Sequence, residues 1–413
     1  MKEWKPFRID DVCTPALIYD ERVIRNNLVG LEGVLKEHSC RVFFSLKALS
    51  MTYVLTKIAS SIGGFAVSSL NEAKLAREIL GRHKIVHITT PGLRPEEIDE
   101  ICDQCDYVSF NSLQQWQRYY PIIRDKINCG LRINPQLSFV RDDKYNPCRI
   151  NSKLGVPIEV LKNIINTDRA LANNIKGIHF HSNCESNNFE QLLITVKHIA
   201  THLPEVLRQI DWINLGGGYL FDNPENYDKL YEAIFLLRKS FGINDVFVEP
   251  GNGIIGNAGY IISSVLDVFE SQGKNIAILD TTVNHMPEVF EYQYRPDIMQ
   301  ECKDGNFEYI LAGCSCLAGD VFGQYNFSAP LKTGDRIVFT DMGAYTLVKA
   351  HMFNGINLPT IYAYSKEGRL ELVKEFNYAD FLSANGGNEH VPLRKRTDSP
   401  FRGKKYDVIE IRQ

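Results

Sequence analysis

A chain of 413 residues with net charge −4, 44% hydrophobic and 23% charged, has the composition of an ordinary globular protein with room for two domains. That balance excludes the basic footprint of a nucleic-acid binder, and no run approaches the ~18 apolar residues of a membrane span. The start, Met1-Lys2-Glu3-Trp4-Lys5, is polar and lacks the apolar core of an export signal, so the ten cysteines read as cytoplasmic thiols rather than a disulfide framework.

Ala16-Leu17-Ile18-Tyr19 is the first strand-like run. Eight more follow at 42–47, 64–68, 85–90, 107–111, 129–134, 176–182, 212–216 and 246–249, rich in β-branched and aromatic residues and bounded by Gly, Pro, Asn or Ser. Between most of them lies helical periodicity. The clearest case is Leu70 to Leu80, closed by Gly81. Cys102-Asp103-Gln104-Cys105 is an isolated pair with no second pair at zinc spacing, and it reads as incidental. Strand then helix, eight times over, predicts an α/β fold: a (β/α)₈ TIM-type barrel, with an open doubly wound sheet as its competitor.

Beyond the eighth run the character changes. Strands are expected at 261–269, 276–281, 309–312, 336–340, 360–364, 370–373 and 408–411 with little helix between them, which suggests a second, mostly β domain. Residues 16–19 fit that domain too. The expected division is a barrel at 20–255 inserted into a β domain made of 1–19 and 256–413. The late basic stretch, Arg394-Lys395-Arg396 to Lys404-Lys405, reads as a solvated loop.

Barrel sites lie at the C-terminal ends of the strands. Those ends carry Lys47, Ser68, Thr90, Asn111, Arg132 with Asn134, His179 with His181, Gly216-Gly217-Gly218, and Glu249 before Pro250-Gly251. Closure of the barrel makes the first and eighth strands neighbours, so Lys47 meets Glu249. An amine and a carboxylate so placed suit pyridoxal phosphate, the amine forming a Schiff base and the carboxylate holding the ring nitrogen. Glycines after the seventh strand suit a phosphate, which backbone N–H groups can approach without a Cβ in the way. His179 and His181, two apart, share a face. They can ligate a metal as in metal-dependent barrel hydrolases, though further ligands are not evident, or one can stack on a planar cofactor. Later in the chain, a thiol in the Gly-flanked turn Gly313 to Asp320 can serve as a proton donor.

Ser45-Leu46-Lys47-Ala48, Phe180-His181, Leu215 to Gly218, Glu249-Pro250-Gly251, Cys316 with Asp320, and Asp341 to Thr346 together resemble the alanine-racemase-fold pyridoxal-phosphate decarboxylases, in order and over nearly the whole chain. Within that group the strings Ser68-Ser69-Leu70-Asn71-Glu72, Gly130 to Pro135, Tyr145-Asn146-Pro147, His285-Met286-Pro287, Tyr294-Arg295-Pro296 and Cys316 to Asp320 resemble the carboxynorspermidine/carboxyspermidine decarboxylases. Diaminopimelate decarboxylases typically carry Glu after the catalytic Cys, where this chain has Leu317.

The resemblance implies pyridoxal 5′-phosphate as cofactor and no metal. Lys47 bonds to the cofactor, His181 stacks on its ring and Glu249 pairs with the ring nitrogen. Gly217, Gly218 and Gly251, with Tyr345, hold the phosphate. Cys316, the proton donor, and Asp320 reach the site from the partner subunit of a homodimer. Ornithine decarboxylases place an Arg on the phosphate three residues after the motif Glu, where this chain has Asn252. A carboxylated polyamine carries several cationic nitrogens, so Asp320, Glu185 and Glu288 are candidates to bind it, with Arg295 or His285 for its carboxylate. The alternatives are a diaminopimelate or other basic amino-acid decarboxylase and, outside catalysis, a pyridoxal-phosphate-binding regulatory pseudoenzyme. Racemases of this fold place Arg, not Glu, at the ring nitrogen.

Overall fold

The computed structural model describes residues 12–38, 40–221 and 227–387. The strand expected at 408–411, the basic stretch at 394–405 and the polar start lie outside the described residues. Strand β1 (Ala16–Asp20) leads into β2 (Cys40–Ser45), β3 (Gly64–Val67), β4 (Ile85–Thr90), β5 (Tyr107–Phe110) and β6 (Asn128–Asn134). A two-residue strand, β7 (Val156–Pro157), precedes β8 (Gly177–His179), β9 (Trp212–Asn214) and β10 (Asp245–Val248).

Strands β2, β3, β4, β5, β6, β8, β9 and β10 pair in parallel and close into a ring, β10 lying beside β2 and β5 beside β6. The doubly wound alternative is thereby set aside. Alternation in β2 explains its packing. Val42 and Phe44 join the large core under the surrounding helices, while Phe43 points inward to meet Ala66, Trp212 and Phe247. The Trp212 indole fills the barrel so completely that a Cβ on Gly177 would sit 1.8 Å from it, and one on Gly130 2.5 Å. Only glycine leaves room for that ring. The helix Leu70–Leu80 starts where Ser69 accepts the Glu72 N–H and ends at Gly81, with φ of 61°.

The second sheet runs β14–β13–β12–β11–β1–β16–β17, with β15 also on β11. Its members are β11 (Gly259–Ser271), β12 (Lys274–Leu279), β13 (Phe307–Ala312), β14 (Val321–Phe327), β15 (Arg336–Phe339), β16 (Thr360–Tyr364) and β17 (Leu370–Lys374). β1 pairs antiparallel with β11, Ala16 opposite Ile262, and parallel with β16. The fold is therefore an eight-stranded barrel joined to a mostly β domain that takes its first strand from before the barrel. Strand β14 was not among those expected. It is an edge strand whose Gly323, Gln324 and Asn326 dilute the apolar pattern of Phe322, Tyr325 and Phe327.

Candidate active site

Sheet pairing stops just short of the chemistry. β2 ends at Ser45, whose N–H donates to Pro250 O, and Lys47 sits in the turn that follows. β10 ends at Val248, one residue before Glu249, whose N–H donates to Gly216 O at 2.8 Å. These bonds knit the first, seventh and eighth strand ends together, so that Lys47, His181, Gly218, Glu249, Gly251 and Tyr345 line one cavity of about 670 Å³. Tyr345 holds φ of 59°, and its N–H donates to Ala48 O, which carries the residue over the barrel mouth.

Lys47 faces the open cavity with protein on its other sides. Burial, reinforced by the Arg132 guanidinium, pulls its ammonium below the usual lysine range, while Glu249 pulls the other way. An amine held toward neutrality is a nucleophile. Burial raises the Glu249 carboxyl, opposed by the Asn214 amide, Lys47 and Arg132. His181 is held neutral by burial and by the charges of Lys47 and Arg132. Its Nδ1 accepts the Gly217 N–H at 3.1 Å, which leaves the ring hydrogen on Nε2. That bond alters the expected part of Gly217, because its amide is spent on orienting His181. Among the described residues the Gly218 N–H donates to no protein acceptor, and the φ of 87° that aims it suits glycine.

Glu185 and Glu288 line the same cavity and an adjoining one, also about 670 Å³. Asn252 Nδ2 donates to Glu185 Oε1 at 2.8 Å, and Glu288 Oε1 lies 3.2 Å from Lys349 Nζ. Other expected residues lie elsewhere. Arg295 pairs with Glu301 at 2.6 Å and stacks over Tyr325, outside both cavities. His285 is fully buried beside Thr281, its imidazole pushed down to about 4 by burial, and faces neither cavity. Asp320 is buried, and its carboxylate accepts the Val283 N–H, the Ser315 N–H and the Ser315 hydroxyl. It braces the turn that carries Cys316. Cys316 itself is exposed and outside both cavities of its own chain.

The mouth also holds residues to which the sequence assigned no role. Arg132 acts on Lys47 more strongly than any other charge. Cys184 lies between the two cavities, as do Tyr145 and Tyr292, whose rings lie 4.2 Å apart. Arg132 had a signal, being a cation at a barrel strand end, and Tyr145 lies in one of the motif strings. Tyr292 ends a six-residue helix, Pro287–Tyr292, too short to show periodicity.

A family model described as "Pyridoxal-dependent decarboxylase, C-terminal sheet domain" matches residues 16–343. A carboxyaminopropylagmatine decarboxylase from Synechocystis is 35% identical over 92% of this chain and 97% of its own length. A carboxynorspermidine/carboxyspermidine decarboxylase from Campylobacter jejuni is 32% identical over 91% and 99%. The crystal structure of carboxynorspermidine decarboxylase complexed with norspermidine, also from Campylobacter jejuni, superposes with a TM-score of 0.81 at 31% identity, covering 91% of this chain and all of that one. With that extent of match, and with an amine and a carboxylate facing one cavity of a barrel-plus-sheet fold, this chain belongs to the pyridoxal-dependent decarboxylases, enzymes whose cofactor is pyridoxal 5′-phosphate.

Proposed function

We propose that this chain decarboxylates carboxynorspermidine or carboxyspermidine to norspermidine or spermidine, a step of polyamine biosynthesis in the cytoplasm. The observation that carries the reading is the division of charge at the mouth. Six cations, Lys47, Arg132, Lys144, Arg149, Lys153 and Lys349, outweigh Glu185, Glu249 and Glu288 around the first cavity. The adjoining one shares Glu185 and Glu288, adds Asp142 and Asp341, and has no Lys or Arg among the described residues. An anionic cofactor and an α-carboxylate suit the first, and a string of cationic nitrogens suits the second. The names of the Campylobacter relatives support the same substrates. The Synechocystis relative favours a second reading, carboxyaminopropylagmatine, which ends in a guanidinium instead of an amine.

The residues fit the cofactor. Lys47 offers an amine held toward neutrality, Glu249 a carboxylate for the ring nitrogen, and His181 a neutral ring to stack. The Gly218 N–H, the backbone at Gly251 and the Tyr345 hydroxyl serve the phosphate in place of a cation at Asn252, while Gly217 fixes His181. Bound there, the cofactor would supply a sink for the electron pair that departing CO₂ leaves on the substrate Cα. Lys47 Nζ would hold it covalently, and Glu249 would keep its ring nitrogen protonated by charge pairing. Cys316 Sγ delivers the proton to Cα. In its own chain it faces neither cavity, so we assign it to the neighbouring site of a homodimer, held in its turn by Asp320. The barrel at 20–255 supplies Lys47, and the β domain of 1–19 and 256–413 supplies Cys316.

Glu288→Gln tests the substrate end of this reading. Loss of one half-buried carboxylate facing a cationic nitrogen should raise KM for the carboxypolyamines about tenfold or more and leave kcat within about threefold. An unchanged KM for every substrate would remove the acidic cavity from the account.

A further inference from the structure

Behind the mouth lies a buried polar layer to which the reaction as described assigns nothing. Asn214 Oδ1 accepts the Gly216 N–H at 2.9 Å, so its Nδ2 has two hydrogens to give. One goes to Glu249 Oε1 at 2.6 Å and the other to His87 Nδ1 at 2.7 Å. His87 is thereby an acceptor at Nδ1, and its own hydrogen, on Nε2, faces Ser109 Oγ at 2.8 Å. Both nitrogens of His87 are committed.

His179 is not so settled. Its Nδ1 lies 3.1 Å from Thr89 Oγ1, while its buried Nε2 has no hydrogen-bond partner and points at Glu249 Oε2 from 3.6 Å. Burial, with Arg132 and His87 nearby, keeps this imidazole uncharged, so it has one N–H to place. Thr89 can donate its hydroxyl to Nδ1, which puts that hydrogen on Nε2. Glu249 then accepts the Asn214 hydrogen at Oε1, and the His179 Nε2–H faces Oε2 from 3.6 Å as an electrostatic contact, longer than a hydrogen bond. Ligand atoms of His87, His179 and Glu249 also lie within 4.8 Å of one another, as three metal ligands would. Ligation there would cost His87 its bond to Asn214 or Ser109.

We propose that His179 is a positioning residue, whose Nε2–H tautomer, set by Thr89, steadies Glu249 Oε2 and with Asn214 aims the carboxylate at the cofactor ring nitrogen. The proposal rests on the reading of Glu249 as the partner of that nitrogen.

The test compares His179→Leu with His179→Gln in the cofactor-loaded enzyme, because the Gln amide N–H can reach the place of Nε2. Equilibrium dialysis should find cofactor retention about tenfold weaker in the Leu variant and within about threefold of the parent in the Gln variant. The absorbance of the bound cofactor should move toward the unprotonated ring only in the Leu variant. Equal losses in both variants, or none in either, would overturn the proposal. Histidine-selective ¹⁵N spectra of the unsubstituted protein test the tautomer without relying on a variant to fold. A hydrogen on Nε2 is expected, and a hydrogen on Nδ1 or a stoichiometric metal in the purified protein would contradict it. A parent protein that retains no cofactor, yet carries the Nε2–H tautomer, would instead refute the reading of Glu249.

Discussion

Lys47→Ala is expected to lower turnover at least ~10⁴-fold and to erase the visible absorbance of the lysine-linked cofactor. The size follows from what the side chain does. Burial and Arg132 hold Lys47 toward its neutral form, and the barrel turn after β2 fixes it beside Glu249, so both nucleophile and geometry are lost together. The fold should survive. The change removes a group whose charge the cavity disfavours, and far-ultraviolet circular dichroism should be unaltered. A small added amine should restore a fraction of turnover by replacing the missing nitrogen without its tether. A variant that stays yellow and active would show that another amine holds the cofactor.

The second large effect concerns the thiol. Cys316→Ala should slow turnover by about 10²–10⁴-fold, the range of a positioned proton donor, and release product protonated at the wrong atom. Because Cys316 faces neither cavity of its own chain, its loss and the loss of Lys47 should complement each other. When the two variants are unfolded together and refolded as a mixture, the hybrid dimers carry one site with both residues intact. Activity should then recover to about a quarter of the parent, as random pairing of two chains gives. No recovery, with dimers demonstrated by sedimentation, would place Cys316 outside the neighbouring site. Unchanged kinetics and a clean product in Cys316→Ala would remove its role altogether.

The barrel was legible because parallel strands buried on both faces spell themselves out as short apolar runs, and eight of them imply closure. Lys47 and Glu249 could be paired from that closure alone. What the sequence hid has physical causes. β14 is an edge strand with polar outward residues, so its pattern is weak. His87 and Asn214 sit inside strands that read as ordinary barrel strands, and only the ring closure puts them behind Glu249. A polar side chain within an apolar strand is a signal of that kind, because burial demands a partner. Arg295 and His285, named beside nearby motif strings, line neither cavity of their own chain: Glu301 and Tyr325 hold the first, and Thr281 the second. Asp320 stands beside the Cys316 thiol, but its intrachain contacts could not be read from that position: it accepts two donors from Ser315 of its own turn and a third from Val283.

Competition between substrates measures directly whether this chain acts on a cationic, carboxylated polyamine. Carboxynorspermidine, carboxyspermidine, carboxyaminopropylagmatine, diaminopimelate and ornithine at equal concentration in one vessel are consumed in the ratio of their kcat/KM values, read by mass spectrometry of the amines formed. The acidic cavity beside Lys47 predicts that carboxynorspermidine or carboxyspermidine disappears first, by at least ~10²-fold over diaminopimelate and ornithine. Faster loss of diaminopimelate or ornithine would contradict the account.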